Sequence, residues 1–234
     1  EVIKNIKIKY IILEKIIFQS SSHFEKIIKF SNKKKIKIFV NCPRRTYKIF
    51  KFIKNKLNKT RGIIKLSLVG NNWGLCSNSI HFLDLLFYFT NFEEDYIMDQ
   101  SLNNKILRSK RRGYYELKGK VSVYNKNFKF FIQDSNEKKN IRLKISRGDE
   151  KYVIENDKAN KNFILKNKGS NMKLFKIPLQ SELTLKLVNN IINKNKYELT
   201  ELKDSYNYHK ILFNIFNNKL IKLLNKKLKN CPIT

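Results

Sequence analysis

Apolar and polar positions along the first sixty residues fall into short, sharply bounded blocks. Ile6 to Leu13 reads as a strand whose continuous apolar run, Tyr10-Ile11-Ile12-Leu13, is of the kind buried on both faces, closed by Glu14-Lys15. After the polar break Gln19-Ser20-Ser21-Ser22, Ser22 and Glu25 have the S-x-x-E spacing of a capping box, and Phe24, Ile27 and Ile28 share one helical face. Ile36 to Val40 predicts a second strand of mostly β-branched residues, ending at Asn41-Cys42-Pro43-Arg44-Arg45. Thr46 is then placed to cap a helix carrying Ile49, Phe50, Ile53 and Leu57. A strand-helix-strand unit this compact implies a right-handed crossover and a parallel sheet, so these residues read as the end of a doubly wound domain.

From Gly62 the pattern changes. Ile64, Leu66 and Leu68 alternate with Lys65, Ser67 and Val69, predicting a strand with one drier face that leads into Asn71-Asn72-Trp73-Gly74 and a helix from about Asn78 to Thr90. Beyond it, Tyr114 to Tyr124, Phe128 to Gln133, Ile141 to Ser146, Tyr152 to Glu155 and Asn162 to Leu165 are short runs divided by Gly, Asn and Asp. They predict a largely antiparallel sheet. Two helices, Leu179 to Ile192 and Leu202 to Leu224, close the chain, the second with Ile211, Leu212, Ile215, Phe216 and Leu220 along one side. The seam between the two patterns lies near residues 60–62. No internal repeat appears.

With 234 residues, 41% of them hydrophobic, the chain has material for one large domain or two small ones. Its formal net charge of +31 would ordinarily direct attention to polyanions. Yet Lys (42), Ile (30) and Asn (30) dominate while Ala occurs once, at Ala159, the imbalance that adenine- and thymine-rich codons produce. Much of the charge is therefore read as drift toward Lys on solvated faces, which disfavours nucleic acid as the partner. Cys42, Cys76 and Cys231 form no C-x-x-C pair, and His23, His81 and His209 are equally scattered, so neither a disulfide framework nor a metal site is predicted. A reducing cytoplasm fits best. The longest apolar stretch, Ile80 to Phe92, is interrupted by Asp84 and too short to span a bilayer, so no membrane association is predicted.

A parallel strand ending in Glu14-Lys15, a second ending in Asn41-Cys42-Pro43-Arg44-Arg45, and then Asn78-Ser79-Ile80-His81-Phe82-Leu83-Asp84 resemble, in order and spacing, the glucose-fructose oxidoreductase, inositol dehydrogenase and MocA (Gfo/Idh/MocA) family. Ser109-Lys110-Arg111-Arg112-Gly113-Tyr114-Tyr115-Glu116, the stretch from Leu199 to His209, and Cys231-Pro232-Ile233-Thr234 resemble its members that handle surface-polysaccharide sugars. The resemblance implies an α/β chain. Residues 1–61 would be the C-terminal remnant of a Rossmann-type dinucleotide-binding domain. Residues 62–234 would be an α+β domain whose largely antiparallel open sheet carries substrate residues and homo-oligomer contacts. The implied activity is NAD- or NADP-dependent oxidoreduction of a sugar or nucleotide-sugar hydroxyl or carbonyl. None of the seven glycines forms a G-x-G-x-x-G turn, which would put backbone N–H groups against the cofactor's pyrophosphate. The chain also opens on Glu1 directly into strand-like sequence, so the first half of the domain is expected upstream, and this chain alone is expected to be inactive.

By the same resemblance Lys15 is the lysine of the family's Glu-Lys-Pro motif, stabilising charge on the substrate oxygen, with Ile16 in place of the proline and a relaxed turn expected. His81 is the histidine that takes the hydroxyl proton, a task suited to a group that titrates near neutrality. Many relatives carry an aspartate four residues before it. Here that position is Ser77, and Asp84, on the same helical face as His81, is read as structural. Glu14, Lys15 and Arg44 form the expected cofactor edge, Glu14 also shaping the strand end. Arg45, Trp73, Asn78, Lys110 and Arg111 are the expected substrate contacts, the last two from a loop whose arginines can clamp phosphate. His23 and His209 read as ordinary helix residues. Two other readings stay open: a basic nucleic-acid-binding module without a recognised motif, and a catalytically silent structural or oligomerisation module.

Overall fold

In the computed structural model, which describes residues 7–109, 111–137, 140–157, 159–167 and 172–234, β1 (Tyr10–Glu14) lies parallel to β2 (Lys37–Asn41) with Glu14 opposite Asn41. The helix between them, α1 (Ser21–Lys34), buries Phe24. Its start differs from the capping-box expectation. Ser20 is the N-cap, Ser22 lies inside the helix, and Glu25 accepts instead from the Tyr206 hydroxyl at 2.7 Å. After β2 the chain makes a short 3-10 turn, Pro43–Thr46, closed by the Thr46 hydroxyl on the Pro43 carbonyl at 2.7 Å. Thr46 thus serves the turn, and Tyr47 precedes α2 (Lys48–Leu57), which buries Ile49, Phe50, Ile53 and Leu57 as its spacing predicts.

β3 (Ile64–Asn71) opens the second sheet, with Ile64, Leu66 and Leu68 buried and Lys65 exposed. It runs into α3 (Leu75–Phe89), which begins three residues before the predicted start. Then follow β4 (Ile97–Leu102), the two-residue β5 (Leu107–Arg108) and β6 (Tyr115–Glu116), and β7 (Gly119–Tyr124), β8 (Phe128–Ser135), β9 (Arg142–Arg147), β10 (Glu150–Asp157), β11 (Asn162–Asn167) and β12 (Lys173–Lys176). Eight strands form one sheet in the order β12-β11-β10-β9-β3-β8-β7-β4, antiparallel throughout except for β3 and β8. The predicted strand from Tyr114 to Tyr124 is in fact two. β6 pairs with β5 in a small ribbon, and Gly119, at φ 139°, lets β7 start against β4, where a Cβ would stand 2.3 Å from the Ser101 carbonyl oxygen. β4 escaped the sequence reading because it lies at the sheet edge and most of its residues are exposed, which removes the apolar alternation that marks a strand.

The last three elements are α4 (Gln180–Lys194), β13 (Thr200–Glu201) and α5 (Leu202–Leu224). β13 returns to the first sheet and pairs antiparallel with β2, giving the order β1-β2-β13. β1 is therefore an edge strand among the described residues. Its residues are only partly buried, where the apolar run predicted burial on both faces. α5 packs across both parts of the chain. Phe24 of α1 stacks on Tyr206 with ring centroids 5.0 Å apart, and Phe87 of α3 stacks on Tyr208 at 4.8 Å. One core runs continuously from Ile38 and Val40 of β2 through α3 and α5 to the inner face of the large sheet. The sequence seam at residues 60–62 separates two sheet patterns, while β13 and α5 tie the chain's end back onto the first of them.

Candidate active site

The carboxyl ends of β1 and β2 point at the first turn of α3, and the candidate site lies between them. Lys15, just past β1, donates from Nζ to the Ser77 carbonyl at 2.7 Å and to Asn78 Oδ1 at 3.3 Å. Burial lowers its pKa, and the carboxylates of Glu116 and Glu14 oppose that shift. The Lys15–Ile16 peptide is cis. Next to it the Asn41 carboxamide donates to Glu14 Oε1, tying the two strand ends together.

α3 is built for burial: eleven of its fifteen residues are buried, and it carries no charge except Asp84. Such a helix needs its end groups satisfied from outside. Two carboxylates from neighbouring strands do this. Asp134 of β8 accepts from the backbone N–H groups of Asn72 (2.7 Å), Trp73 (3.1 Å) and Gly74 (3.0 Å). Glu116 of β6 accepts from those of Cys76 (2.8 Å) and Ser77 (3.0 Å). Burial raises the pKa of both, against the lowering effect of these hydrogen bonds. Neither carboxylate stood out in the sequence, because each is a single acidic residue on a strand and its role depends on pairings far apart in the chain.

His81, on the second turn of α3, lines a cavity of about 410 Å³ together with Glu14, Lys15, Asn41, Arg44 and Tyr47. Its Nδ1 is buried without a hydrogen-bond partner. Burial, and then the positive charges of Arg44 and Lys15, hold its pKa well below 6.5, so the ring is neutral at neutral pH. Among the described residues no carboxylate hydrogen-bonds to it. Asp84, one turn further on, accepts instead from Arg45 Nε at 3.0 Å and from the Thr200 hydroxyl. Arg44 lies over the Phe82 ring at 4.5 Å and lines both this cavity and a smaller one of about 180 Å³.

The other expected contacts divide. Asn78 is at the site, its Nδ2 donating to the Trp73 carbonyl at 2.6 Å while Oδ1 accepts from Lys15. The indole N–H of Trp73 is engaged by the Gln133 carbonyl at 2.8 Å, and the ring packs edge-on against Phe82, so Trp73 offers its face rather than a donor. Arg45, expected at the substrate, turns the other way, into the pair with Asp84 and over the Tyr88 ring at 5.4 Å. Arg111 donates to the Thr234 hydroxyl at 3.0 Å. With Lys15, Arg108, Glu14 and Glu116 it lines a third cavity of about 640 Å³ on the other side of Lys15. Lys110 lies outside the described residues. His209 is fully buried in α5, and its Nε2 has no partner. Among the described residues no group of His, Cys, Asp and Glu has the arrangement to hold a metal ion, and no helix is long and apolar enough to cross a membrane.

No family model and no curated protein sequence matches the chain. Solved structures do. A dehydrogenase (MviM) from Clostridium difficile superimposes with a TM-score of 0.61 at 17% identity, over 89% of this chain and 71% of that one. UDP-N-acetylglucosamine 3-dehydrogenase GnnA from Acidithiobacillus ferrooxidans gives 0.59 at 10% identity, over 87% and 68%. A super-repressor mutant of Gal80p from Saccharomyces cerevisiae gives 0.64 at 13% identity, over 92% and 71%. The likeness is one of fold, and the chain has the fold of the Gfo/Idh/MocA-type oxidoreductases.

Proposed function

We propose that this chain carries the substrate half of an NAD- or NADP-dependent oxidoreductase acting on a hydroxyl or carbonyl of a sugar or nucleotide sugar, in the making of a surface polysaccharide. The observation that carries the reading is the convergence of Lys15 and His81 on one cavity at the carboxyl ends of β1 and β2, the edge at which open α/β sheets bind ligands. A neutral imidazole in that cavity takes the proton of a substrate hydroxyl, while the Lys15 ammonium stabilises negative charge on the same oxygen. A nicotinamide, when bound, would accept the hydride that the carbon gives up on becoming a carbonyl.

The residues present suit only the nicotinamide end of such a cofactor. Glu14, Lys15, Asn41 and Arg44 border the cavity, whereas Gly74, the one glycine that opens a long helix among the described residues, faces an N-terminus already filled by Glu116 and Asp134. Among the described residues there is no cradle for the pyrophosphate, so by itself the chain should hold NAD or NADP poorly. Arg108 and Arg111 on the adjoining cavity favour a nucleotide sugar, since guanidinium groups pair with phosphate in fork geometry, and one fold neighbour is named as a UDP-sugar dehydrogenase. We assign residues 1–61 to the cofactor side and 62–234 to substrate binding and homo-oligomer contacts through the open sheet. Buried free thiols at Cys42, Cys76 and Cys231 suit the cytoplasm.

The test joins the chain in frame to an upstream nucleotide-binding segment that carries a G-x-G-x-x-G turn, and follows NAD(P)H formation with a panel of UDP-sugars. Turnover that vanishes in Lys15→Met supports the reading. A well-folded fusion that binds cofactor and is inert toward every sugar overturns it. Salt-dependent binding of random oligonucleotides by the inert protein would favour the basic binding module instead.

A further inference from the structure

Gly74 precedes α3 at φ 80°, and a Cβ built there would stand 2.5 Å from Ser77 Oγ and 3.0 Å from Asn78 Nδ2. The usual capping side chain therefore has no room at this helix start, and none of the helix's own residues caps it. The cap comes from forty residues away. Glu116 closes on the Cys76 and Ser77 amides, and its Oε1 lies 3.4 Å from the position a Gly74 Cβ would take. Ser77 is also the residue whose carbonyl accepts from Lys15 Nζ, and the next residue, Asn78, supplies the second acceptor.

We propose that Glu116 is a positioning residue: by capping the first turn of α3 it fixes the Ser77 carbonyl and the Asn78 carboxamide that hold the Lys15 ammonium beside His81. The inference rests on the reading of Lys15 and His81 as the reacting pair. Glu116 acts on that pair through the first turn of α3, because its hydrogen bonds run to the Cys76 and Ser77 amides of that turn. Its negative charge works in the same direction, favouring the charged form of Lys15.

The consequence is measurable at His81 without substrate. Arg44 and Lys15 are the two cations that depress its pKa, with Glu14 the acid on the same cavity. If Glu116 holds Lys15 in place, Glu116→Gln lets the ammonium swing toward solvent, and the His81 pKa rises. The direct electrostatic effect of losing a carboxylate has the opposite sign, lowering the pKa of a neighbouring imidazole. The two explanations are thus separated by direction.

The experiment is an NMR titration of the imidazole Cε1–H signals in the 234-residue chain. We expect an upward His81 shift in Glu116→Gln, an upward shift in Lys15→Met, and no further shift when the two are combined. Glu116→Asp keeps the charge but withdraws the carboxylate from the amides, and should shift His81 upward too, which serves if the glutamine variant does not fold. An unmoved or lowered His81 pKa in a folded variant overturns the proposal, as does a shift that adds fully to that of Lys15→Met. Because no turnover is involved, this coupling intact in the chain, together with a cofactor-binding fusion inert toward every sugar, would overturn the enzymatic reading and leave the positioning standing.

Discussion

Arg45 and Asp84 form a buried pair that staples the turn after β2 to the middle of α3. Arg45 Nε meets Asp84 Oδ2 at 3.0 Å, Nη2 meets the Asp84 backbone carbonyl at 3.1 Å, and the Thr200 hydroxyl of β13 takes the other carboxylate oxygen. Three segments distant in sequence meet on one side chain that is 1% exposed. The pair orients α3 against the first sheet, and with it the ring of His81 one turn away.

Removing one partner should therefore cost far more than removing both. Asp84→Ala leaves a guanidinium in a largely dry site without its counter-ion, and we expect a loss of about 3–5 kcal/mol in the free energy of unfolding, read from urea denaturation. The double variant Arg45→Met with Asp84→Asn should recover much of that loss. Equal destabilisation by the single and double changes would mean that the pair has no such coupling.

His209 makes acid stability predictable. Its Nδ1 bonds the Ser205 carbonyl at 2.7 Å, its Nε2 is buried without a partner, and burial brings its pKa down to about 4. The ring therefore stays neutral in the folded chain through a range in which it charges in the unfolded one. The unfolded state binds the extra proton below pH 6.5, so this contribution is complete above that value and is lost progressively as pH falls toward 4, by roughly 3 kcal/mol. The stability difference between the parent chain and His209→Leu should narrow over that interval. A difference constant with pH would contradict the assignment.

How far the sequence foretold this arrangement depended on whether a signal was local. α2 and β3 announce themselves because their buried residues recur at regular intervals, β2 because it is a short continuous apolar run, and α5 matches its predicted span. Lys15 and His81 were singled out by the resemblance of their short motifs to a known family, and the structure puts both on one cavity. What lay hidden was produced by pairings between remote segments. Arg45 reads as a free cation beside Arg44 until α3 brings Asp84 to it, and Glu116 and Asp134 read as ordinary strand residues until the loop before α3 lays its amides on them. The capping box at Ser22 shows the converse. A correct local spacing was overridden because Tyr206 of α5 takes Glu25.

Gly74→Ala tests the tight entry to α3. A left-handed backbone costs an L-residue about 1–2 kcal/mol, and here the methyl group must also displace Ser77 Oγ and Asn78 Nδ2, which belong to the two residues whose other oxygens hold Lys15. We expect destabilisation of at least that size in chemical denaturation and a change in the His81 imidazole signals of the folded protein. Gly113, with φ 85° but open space around it, is the control: Gly113→Ala should carry only the backbone strain and leave His81 unchanged.

The sharpest functional prediction concerns the acid limb of the reaction in the enzyme complemented with a nucleotide-binding segment. A general base must be unprotonated to take the hydroxyl proton, so oxidation should hold its rate as pH falls below 6.5 and decline only where His81 itself titrates. His81→Ala should lower kcat on the order of 100-fold or more and abolish that limb, the usual effect of losing a positioned base. Lys15→Met should cut the rate and also shift the remaining limb upward, because the ammonium that helps keep His81 neutral is gone. A limb left in place by His81→Ala would assign the proton to another group on the cavity, with Tyr47 the neighbour to examine next.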